Sequence, residues 1–442
     1  MIQLHQGAAL DVLVEMSDNS IDSIVTDPPY GLSREPDAIE VLRHWLAGDD
    51  YEHGGGGFMG KSWDSFVPGP STWKECLRVL KPGGHLLCFA GSRTVDLMGM
   101  AIRLGGFEIR DQLQWLCGSG FPKSMNVAKA IDKKLGVEGG VGSSEAANWQ
   151  GWGTALKPAH EPIILARKPF RETVAKNVLR HGTGAINVDA TRVAAEARPL
   201  LVGDCKETDN NAHAGRMDGS LAGGSKAEGV TDLGRWPANV ILDHEAGALL
   251  DEQSGTLRSG KAAAGGHKRT AENMEKGSDV YGGGRGISGT SSTDDAGVLY
   301  GDSGGASRFF YCAKTAKSER NAGLPDGLIN DHPTVKPVKL MEWLVKMVTP
   351  PGGTVLDPFC GSGTTMVAAE RLGFDGIGID RDDEDKYLTI ARHRIRHASG
   401  LEYPEPEPPA LTPSAGESSD DLFDLFPDSQ CDPSNPYQGE RP

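Results

Sequence analysis

The chain has 442 residues, and 45 lysines and arginines against 61 aspartates and glutamates give it a formal net charge of −16. That excess of acid argues at first against a polyanion such as DNA as the partner, because phosphate binding needs clustered basic side chains. No run of 18 apolar residues occurs and the seven cysteines are dispersed without a CxxC pair, which excludes a membrane-spanning helix, a disulfide framework and a zinc site.

The first 116 residues predict alternating strands and helices. Residues 1–16 lack the basic segment and apolar core of a secretory signal, which predicts a cytoplasmic protein. The apolar patterning predicts strands over 20–27, 85–90 and 107–116, and helices over 71–80 and 93–104, the first helix ending at the Lys-Pro-Gly-Gly of 81–84. This alternation is typical of an α/β protein with a mostly parallel sheet.

The first predicted strand ends in Asp27-Pro28-Pro29-Tyr30, here called the DPPY motif. The simplest interpretation is a turn that stops the strand, since Asp-Pro and Pro-Pro both favour turns. The same stiffness has a second use, because two prolines fix φ and let a carboxylate and main-chain carbonyls converge on one point. At the carboxyl end of a parallel strand, where α/β sheets bind ligands, Asp27 and the Pro28 carbonyl could accept both N–H groups of an exocyclic amine. Tyr30 supplies a flat face on which a base can stack.

The composition changes after residue 194. Residues 195–305 are rich in glycine and small polar residues, and only 233–242 has the pattern of ordered core. The α/β pattern then resumes, with helices predicted around 337–348, 364–373 and 385–397 and strands over 353–359 and 376–380. Residues 401–442 carry ten acids against one base, a charge of −9, and are rich in proline, which predicts a disordered acidic tail. Most of the net acidity therefore belongs to the tail, and the overall charge excludes DNA less firmly than it first suggests.

A second motif lies far downstream of the first, in the segment Val355-Leu-Asp-Pro-Phe-Cys-Gly-Ser-Gly-Thr-Thr365. Its pattern is a strand, a Gly-x-Gly turn and a helix start, followed by a second strand that ends at Asp380. Glycines permit close approach of the backbone to a ligand, and the acid can bind a ribose diol. A dinucleotide site would have a third glycine at position 366, where Met366 stands, so a nucleoside without a pyrophosphate fits better. S-adenosylmethionine (SAM) is the leading candidate.

Together, and in this order, the two motifs resemble the β-class of SAM-dependent amino-group DNA methyltransferases, which modify adenine N6 or cytosine N4. The bridging segment His332-Pro-Thr-Val-Lys-Pro337 and the segments at 61–64, 78–87 and 157–168 are also similar to the family. The resemblance covers roughly 1–190 and 305–397. One departure is the acid-rich stretch at 381–386, which makes Asp382 a competitor of Asp380 for the ribose contact.

The resemblance implies a Rossmann-like methyltransferase sheet whose catalytic half precedes its cofactor half. It implies that Asp27, Pro28, Pro29 and Tyr30 hold the target base, flipped out of double-stranded DNA. It also implies a SAM site with no metal, and the residues expected there are Thr334, Lys336, Asp357, Phe359, Gly361, Ser362, Gly363, Thr364 and Asp380.

The predicted organisation is a catalytic half over 1–194, a recognition region over 195–305, a SAM-binding half over 306–398 and the acidic tail over 399–442. The glycine-rich 195–305 region is equally compatible with a passive insertion. The DPPY sequence favours adenine N6, whereas cytosine N4 enzymes of the family more often carry SPPY. A SAM- or DNA-binding regulator without turnover is the third interpretation, and the intact Asp27 and Tyr30 argue against it. A homodimer and a cognate restriction endonuclease are further partners that the resemblance allows.

Four weaker signals have mainly structural interpretations. The segment 255–262 nearly matches a phosphate-binding loop, but Ala262 replaces the hydroxyl residue that would hold magnesium. His160 and Glu161 have no accompanying nucleophile, which favours a structural or DNA-backbone role. Six bases between 157 and 180 predict either a solvated face or a DNA-contacting surface. Cys360 is expected to be a small packing residue rather than a reactive thiol.

Overall fold

The computed structural model describes residues 1–32, 36–54, 62–120, 124–137, 142–195, 198–203, 225–258, 302–313, 317–381 and 386–400. The strands are β1 (Ile2–Gln6), β2 (Ile21–Thr26), β3 (Leu80–Phe89), β4 (Glu108–Leu116), β5 (His160–Arg167), β6 (Arg198–Gly203), β7 (Ser225–Thr231), β8 (Val240–Asp243), β9 (Leu257–Arg258), β10 (Ser303–Gly304), β11 (Tyr311–Ala313), β12 (Thr354–Asp357) and β13 (Asp375–Asp380). The α-helices are α1 (Ala9–Glu15), α2 (Ala38–Ala47), α3 (Pro70–Val79), α4 (Val95–Leu104), α5 (Val127–Lys134), α6 (Ser144–Ala147), α7 (Val174–His181), α8 (His244–Ser254), α9 (Val338–Val348), α10 (Thr364–Leu372) and α11 (Lys386–Ala398).

A nine-stranded sheet organises the fold, in the order β1-β13-β12-β2-β3-β5-β4-β8-β11. Every neighbouring pair is parallel except the two pairs made by β5, which runs antiparallel to both β3 and β4. The predicted α/β class with a mostly parallel sheet is therefore confirmed. The C-terminal strands β12 and β13 insert between β1 and β2, which places the second sequence motif beside the first.

Both faces of the sheet are buried, as parallel sheets require. All six residues of β2 are buried. Along β3, Leu87 and Phe89 belong to a core with helices α9 and α10, whereas Leu86 and Cys88 belong to a core with α1, α3 and α4. This alternation has the period of two that a strand imposes on its side chains. The buried sheet therefore fixes the positions of the loops that follow its strands at the carboxyl edge.

Two local differences from the sequence prediction concern the strands. The Lys-Pro-Gly-Gly of 81–84, expected to end the preceding helix in a turn, lies inside β3 instead. The strand accommodates it because Gly83 adopts a φ of +82°, which favours glycine, and its N–H donates to the Lys168 carbonyl. The first strand and helix, β1 and α1, were not predicted, and β1 pairs in parallel with β13 along its whole length.

The glycine-rich region contributes to the main sheet. Strand β8, in the stretch expected to be ordered, pairs in parallel with β4 and β11, and Ile241 and Leu242 are buried. The boundaries 195 and 305 therefore do not separate this region cleanly from the sheet. The acidic tail beyond residue 400 and residues 259–262 of the phosphate-loop-like segment lie outside the described residues. In the described part of the chain, no helix is long and apolar enough to cross a membrane.

Candidate active site

A cavity of about 810 Å³ opens at the carboxyl edge of the sheet, where β2, β12 and β13 end. The whole DPPY motif lines one side of it. Thr334, Phe359, Gly361 and Asp380 line the other side. Two motifs that are far apart in the sequence therefore border one cavity. The wall is completed by the start of α1, which sequence reasoning had not assigned to the site.

The DPPY turn is fixed by two neighbouring loops. The Asp64 carboxylate is buried and accepts hydrogen bonds from the Tyr30 and Gly31 N–H groups at 2.7 and 3.1 Å. The Thr94 hydroxyl donates to the Tyr30 carbonyl at 2.6 Å. Gly31 has a φ of +66°, and a side chain there would meet the backbone of Val67. These contacts fix the direction in which the strand end presents Asp27.

Four ionisable side chains meet at the end of β2. The Tyr30 hydroxyl lies 2.7 Å from Asp27 Oδ1 and 2.7 Å from Glu161 Oε2. The Lys336 ammonium lies 2.5 Å from Asp27 Oδ2 and 3.2 Å from Glu161 Oε2. Lys336 was expected among the cofactor residues, but the structure directs its charge to Asp27, the residue expected to hold the base. The four groups form one hydrogen-bonded cluster, here called the Asp27 cluster.

Burial changes the proton affinities within the Asp27 cluster. Desolvation raises the pKa of the Asp27 carboxyl, against the opposing effect of the Lys336 ammonium. Burial alone would lower the pKa of Lys336, but the carboxylates of Asp27 and Glu161 outweigh it and the net direction is upward. Burial and the same two carboxylates raise the pKa of Tyr30 well above its ordinary value. Lys336 and Tyr30 therefore keep their protons at neutral pH.

The second motif folds into a strand end and a turn that is braced by its own side chains. Asp357 is buried and accepts hydrogen bonds from the Thr26 and Thr365 hydroxyls at 2.6 and 2.5 Å and from the Phe359 N–H at 3.1 Å. Burial raises the pKa of Asp357 to about 6. This carboxylate does not line the large cavity but a small adjoining one of about 30 Å³, so its observed role is to hold the turn.

Asp380 lies where a cofactor contact was expected. It lines the large cavity, and its Oδ2 accepts a hydrogen bond from the Gly361 N–H at 2.7 Å. The Cys360 N–H donates to the Ile379 carbonyl one residue earlier. These bonds join the end of β13 to the glycine turn. The competing Asp382 lies outside the described residues.

Three residues expected to contact the cofactor pack against helix α11. The buried guanidinium of Arg394 donates to the Ser362 carbonyl at 2.6 Å and to the Thr364 hydroxyl at 3.1 Å. Gly363 has a φ of +80°, and a Cβ there would lie 2.7 Å from the Cβ of Ala391. Ser362 and Thr364 reach only the small adjoining cavity. The glycine at 363 is thus required by helix packing, because the last helix closes over the turn.

An aromatic group forms part of the cavity wall. The His332 ring stacks on Trp63 with 6.0 Å between ring centroids, and it meets the Tyr387 ring edge-on at 4.7 Å. Burial lowers the pKa of His332 to about 4, so the ring is neutral at pH 7. A Cβ on Gly361 would lie 2.9 Å from the His332 ring. The bridging segment His332–Pro337 therefore packs directly on the glycine turn while its Lys336 reaches the DPPY motif.

Glu161 is the site residue that sequence reasoning missed, since a structural or DNA-backbone role was favoured for it. It follows the loop into β5, and Ala90, just after β3, donates its N–H to the adjacent Pro162 carbonyl. Because β5 is antiparallel to β3, its first residues lie at the carboxyl edge beside the DPPY motif. Only the antiparallel direction of β5 reveals this position, and the sequence alone carried no signal for it.

Most bases of the stretch at 157–180 bond to neighbouring groups of the protein. Most of its charges bond to neighbouring carbonyl or carboxylate groups: Lys157 to Gly118, Arg167 to Glu108, Lys168 to Leu80, and Arg180 to Glu172. Arg171 and Lys176 are exposed. Lys157 and Arg180 are exposed as well, so four of the six bases face solvent. Among the described residues, no three His, Cys, Asp or Glu side chains cluster to hold a metal ion.

Comparisons with known proteins agree with the motifs. The family model for N6 and N4 methyltransferases, described as DNA methylase, matches residues 21–392 of this chain. The type II methyltransferase M2.DpnII of Streptococcus pneumoniae is 48% identical over 81 residues, which cover 18% of this chain and 27% of that protein. The type II methyltransferase M.HindIII of Haemophilus influenzae is 25% identical over 204 residues, which cover 42% of this chain and 64% of that protein. The matched parts therefore span from about a quarter to just under two thirds of these relatives.

Solved structures give a weaker likeness. The PvuII DNA methyltransferase, described as cytosine-N4-specific, aligns over 90% of this chain and 93% of its own, with 14% identity and a TM-score of 0.39.

Proposed function

This chain belongs to the DNA methylase family of N6 and N4 methyltransferases, and we propose that it transfers a methyl group from SAM to an exocyclic amine of a base in double-stranded DNA. Adenine N6 is the proposed target, and cytosine N4 is the alternative. The observation that carries the proposal is the single cavity bordered by Asp27 and Tyr30 on one side and by Phe359 and Asp380 on the other.

The cavity suits a nucleoside-bearing cosubstrate. Its volume of about 810 Å³ lies within the range of small-molecule sites, about 300–1,000 Å³. Asp380 is placed at a strand end to accept hydrogen bonds from a ribose diol, and Phe359 offers an apolar surface to an adenine ring. When bound, SAM supplies an electrophilic methyl group on a sulfonium. Phe359, Gly361, Asp380 and Thr334 are the proposed SAM contacts, whereas Asp357, Ser362, Gly363 and Thr364 support the turn behind them.

The protein's contribution to methyl transfer is to prepare the amine. Its nitrogen is a poor nucleophile because the lone pair is delocalised into the ring. Hydrogen bonds from its two N–H groups to Asp27 and the Pro28 carbonyl would weaken that delocalisation. The Asp27 carboxylate also stabilises the positive charge that develops on nitrogen, an electrostatic effect placed where the charge appears. Lys336 favours the ionised form of Asp27 by lowering its pKa against the upward effect of burial.

Tyr30 is proposed to stack on the flipped base. Its hydroxyl is held by Asp27 and Glu161, which fixes the plane of the ring. The Lys336 ammonium lies 5.3 Å from the ring centroid, which leaves the ring face turned away from that ammonium for a base. The 195–305 region is proposed to read the DNA sequence, and a homodimer and a partner endonuclease remain proposals that solution experiments can address.

The test is direct transfer of label. Tritiated SAM and unmethylated duplex DNA should give labelled DNA, and nucleoside analysis should identify N6-methyladenine. Recovery of N4-methylcytosine would select the alternative, whereas SAM binding without any labelled DNA would favour a regulator. Asp380→Ala should weaken SAM binding, and an unchanged affinity would place the ribose contact elsewhere.

A further inference from the structure

We propose that Glu161 takes up, through the Tyr30 hydroxyl and Asp27, the proton that the target amine loses during methyl transfer. The inference rests on the proposed function, because it assigns a role to a group beside the amine-binding carboxylate. It starts from an unusual contact. One tyrosine hydroxyl lies at 2.7 Å from two carboxyl groups, Asp27 and Glu161.

Proton counting gives this contact its meaning. A tyrosine hydroxyl has one proton and can donate to only one of two oxygens. The second short contact is attractive only when the other carboxyl carries a proton and donates to the tyrosine oxygen. The arrangement therefore has two forms, with the proton on Asp27 or on Glu161. Interconversion requires two short proton shifts and never ionises Tyr30.

Charge balance favours one mobile proton in the Asp27 cluster. Lys336 contacts Asp27 at 2.5 Å and Glu161 at 3.2 Å, and its side chain is 6% exposed. One buried ammonium neutralises one carboxylate, and a second negative charge beside Asp27 makes ionisation of that buried carboxyl more costly. A single proton shared between Asp27 and Glu161 removes that cost. The upward shift of the pKa of Asp27 by burial and by the Glu161 charge agrees with this balance.

The charge of the cosubstrate decides when the shared proton is needed. A bound sulfonium brings one positive charge to the cavity, so both carboxylates can be ionised before transfer, once Glu161 has released its proton to water. Methyl transfer removes that charge from sulfur. A proton on Glu161 then restores the balance, which makes this carboxylate the natural acceptor of the proton from the amine.

Glu161 is also the member of the pair that faces solvent. Its side chain is 31% exposed and lines the cavity, whereas Asp27 is 16% exposed. A proton that reaches Glu161 can therefore leave to water. The other titratable groups that act on the cluster from neighbouring elements are Asp357 at the end of β12, Cys88 in β3, Cys117 after β4 and His332 in the bridging segment. Burial raises the pKa of both thiols and lowers that of His332, so none of these three competes for the proton at neutral pH.

The step balances as follows. The amine nitrogen forms a bond to the methyl carbon while the sulfur–methyl bond breaks. The electron pair of the broken bond stays on sulfur, which becomes a neutral thioether. The nitrogen is left with two protons, a methyl group and a positive charge. One proton passes to Asp27 Oδ1, Asp27 passes a proton to the Tyr30 oxygen, and Tyr30 passes its own to Glu161 Oε2. The product is a neutral secondary amine, Asp27 is again ionised, and Glu161 is protonated until water removes the proton.

Three variants test the relay in the full chain. Glu161→Gln keeps an acceptor oxygen for Tyr30 and Lys336 but cannot take a proton, and Tyr30→Phe keeps the stacking ring but removes the bridge. The double variant combines them. Glu15→Gln, an exposed glutamate at the end of α1, is the matched control. Single-turnover transfer from tritiated SAM to duplex DNA is measured against pH, with SAM affinity measured for each protein.

The relay predicts a distinct pattern. Each single variant should lose about tenfold or more of the plateau rate, in the range of general-base effects. The double variant should be no slower than the slower single variant. The acid limb of the rate should move to lower pH in Glu161→Gln, because a charge that raises the pKa of Asp27 is gone. It should move to higher pH in Tyr30→Phe, because a hydrogen bond that lowers that pKa is gone.

The outcomes separate this inference from the proposed function. Suppose that the wild-type chain methylates DNA, and that Glu161→Gln keeps the rate within twofold and the acid limb at the same pH. The relay is then wrong and the proposed function stands. If the losses of the two single variants multiply in the double variant, Glu161 does not act through Tyr30 and the relay is again wrong. A wild-type chain that binds SAM and transfers no label to DNA overturns both.

Discussion

Replacing Asp64 by alanine should release the DPPY turn from the loop that fixes it. The carboxylate accepts two backbone hydrogen bonds, from Tyr30 at 2.7 Å and Gly31 at 3.1 Å, and it is only 4% exposed. A hydrogen bond to a charged acceptor contributes about 1.5–3 kcal/mol, and a buried N–H without a partner adds a further cost. We therefore expect Asp64→Ala to lower the free energy of unfolding by about 3 kcal/mol.

Asp37 provides a matched control on the same chain. It also accepts two backbone hydrogen bonds, from Ile39 and Glu40, but it caps the exposed start of α2. Its loss should cost only about 1 kcal/mol, the usual value of a helix cap. Urea denaturation gives both free energies, and single-turnover transfer gives the rate. A displacement of about 1 Å at Asp27 should slow Asp64→Ala by roughly 10²-fold, and Asp37→Ala should keep the wild-type rate. Equal stability losses in the two variants, with transfer intact in both, would refute this account of the turn.

Three further substitutions probe the contacts of the DPPY motif and of the glycine turn. Lys336→Met removes the charge that lowers the pKa of Asp27, so the acid limb of the transfer rate should move to higher pH. A pH–rate profile measures this shift, and an acid limb that stays in place would refute the pairing of Lys336 with Asp27. Arg394→Lys loses the planar donor set that holds the Ser362 carbonyl, and SAM should bind about tenfold more weakly, about 1.4 kcal/mol, in calorimetry, with DNA affinity unchanged. Gly363→Ala should lose about 2 kcal/mol of stability in urea, because its φ is +80° and the new methyl would overlap helix α11; an unchanged midpoint would contradict that packing.

Much of the fold followed from the sequence because periodicity and turn residues are local signals. The strand ending at Asp27, the helix before Leu80 and the three helices after residue 337 are all present. The short strand β1 was missed, since Ile2–Gln6 alternates apolar and polar residues over only five positions. Its strand character depends on pairing with β13, which lies near the opposite end of the sequence.

The site residues likewise divide into those that a local sequence pattern identifies and those that depend on long-range packing. The DPPY motif and Asp380 could be identified because each follows a recognisable strand, and the carboxyl ends of parallel strands share an edge. Glu161 and Asp64 could not, since their positions depend on strand order and on loop paths that no local pattern encodes. Lys336 was expected among the cofactor residues, and its ion pairs with Asp27 and Glu161 depend on the same long-range packing. The turn after Asp357 shows a different difficulty. A glycine that is required for helix packing and a glycine that is required for close approach to a ligand look alike in the sequence.

The central claim is that Asp27 is the group that activates the amine for methyl transfer. Asp27→Asn preserves the size of the side chain and one acceptor oxygen, but it removes the charge that faces Lys336 and the developing cation. Tritium transfer from SAM to duplex DNA by this variant is the most direct test. The account predicts a rate lower by about 10²-fold or more, with SAM affinity within twofold of wild type. Transfer at the wild-type rate would contradict it.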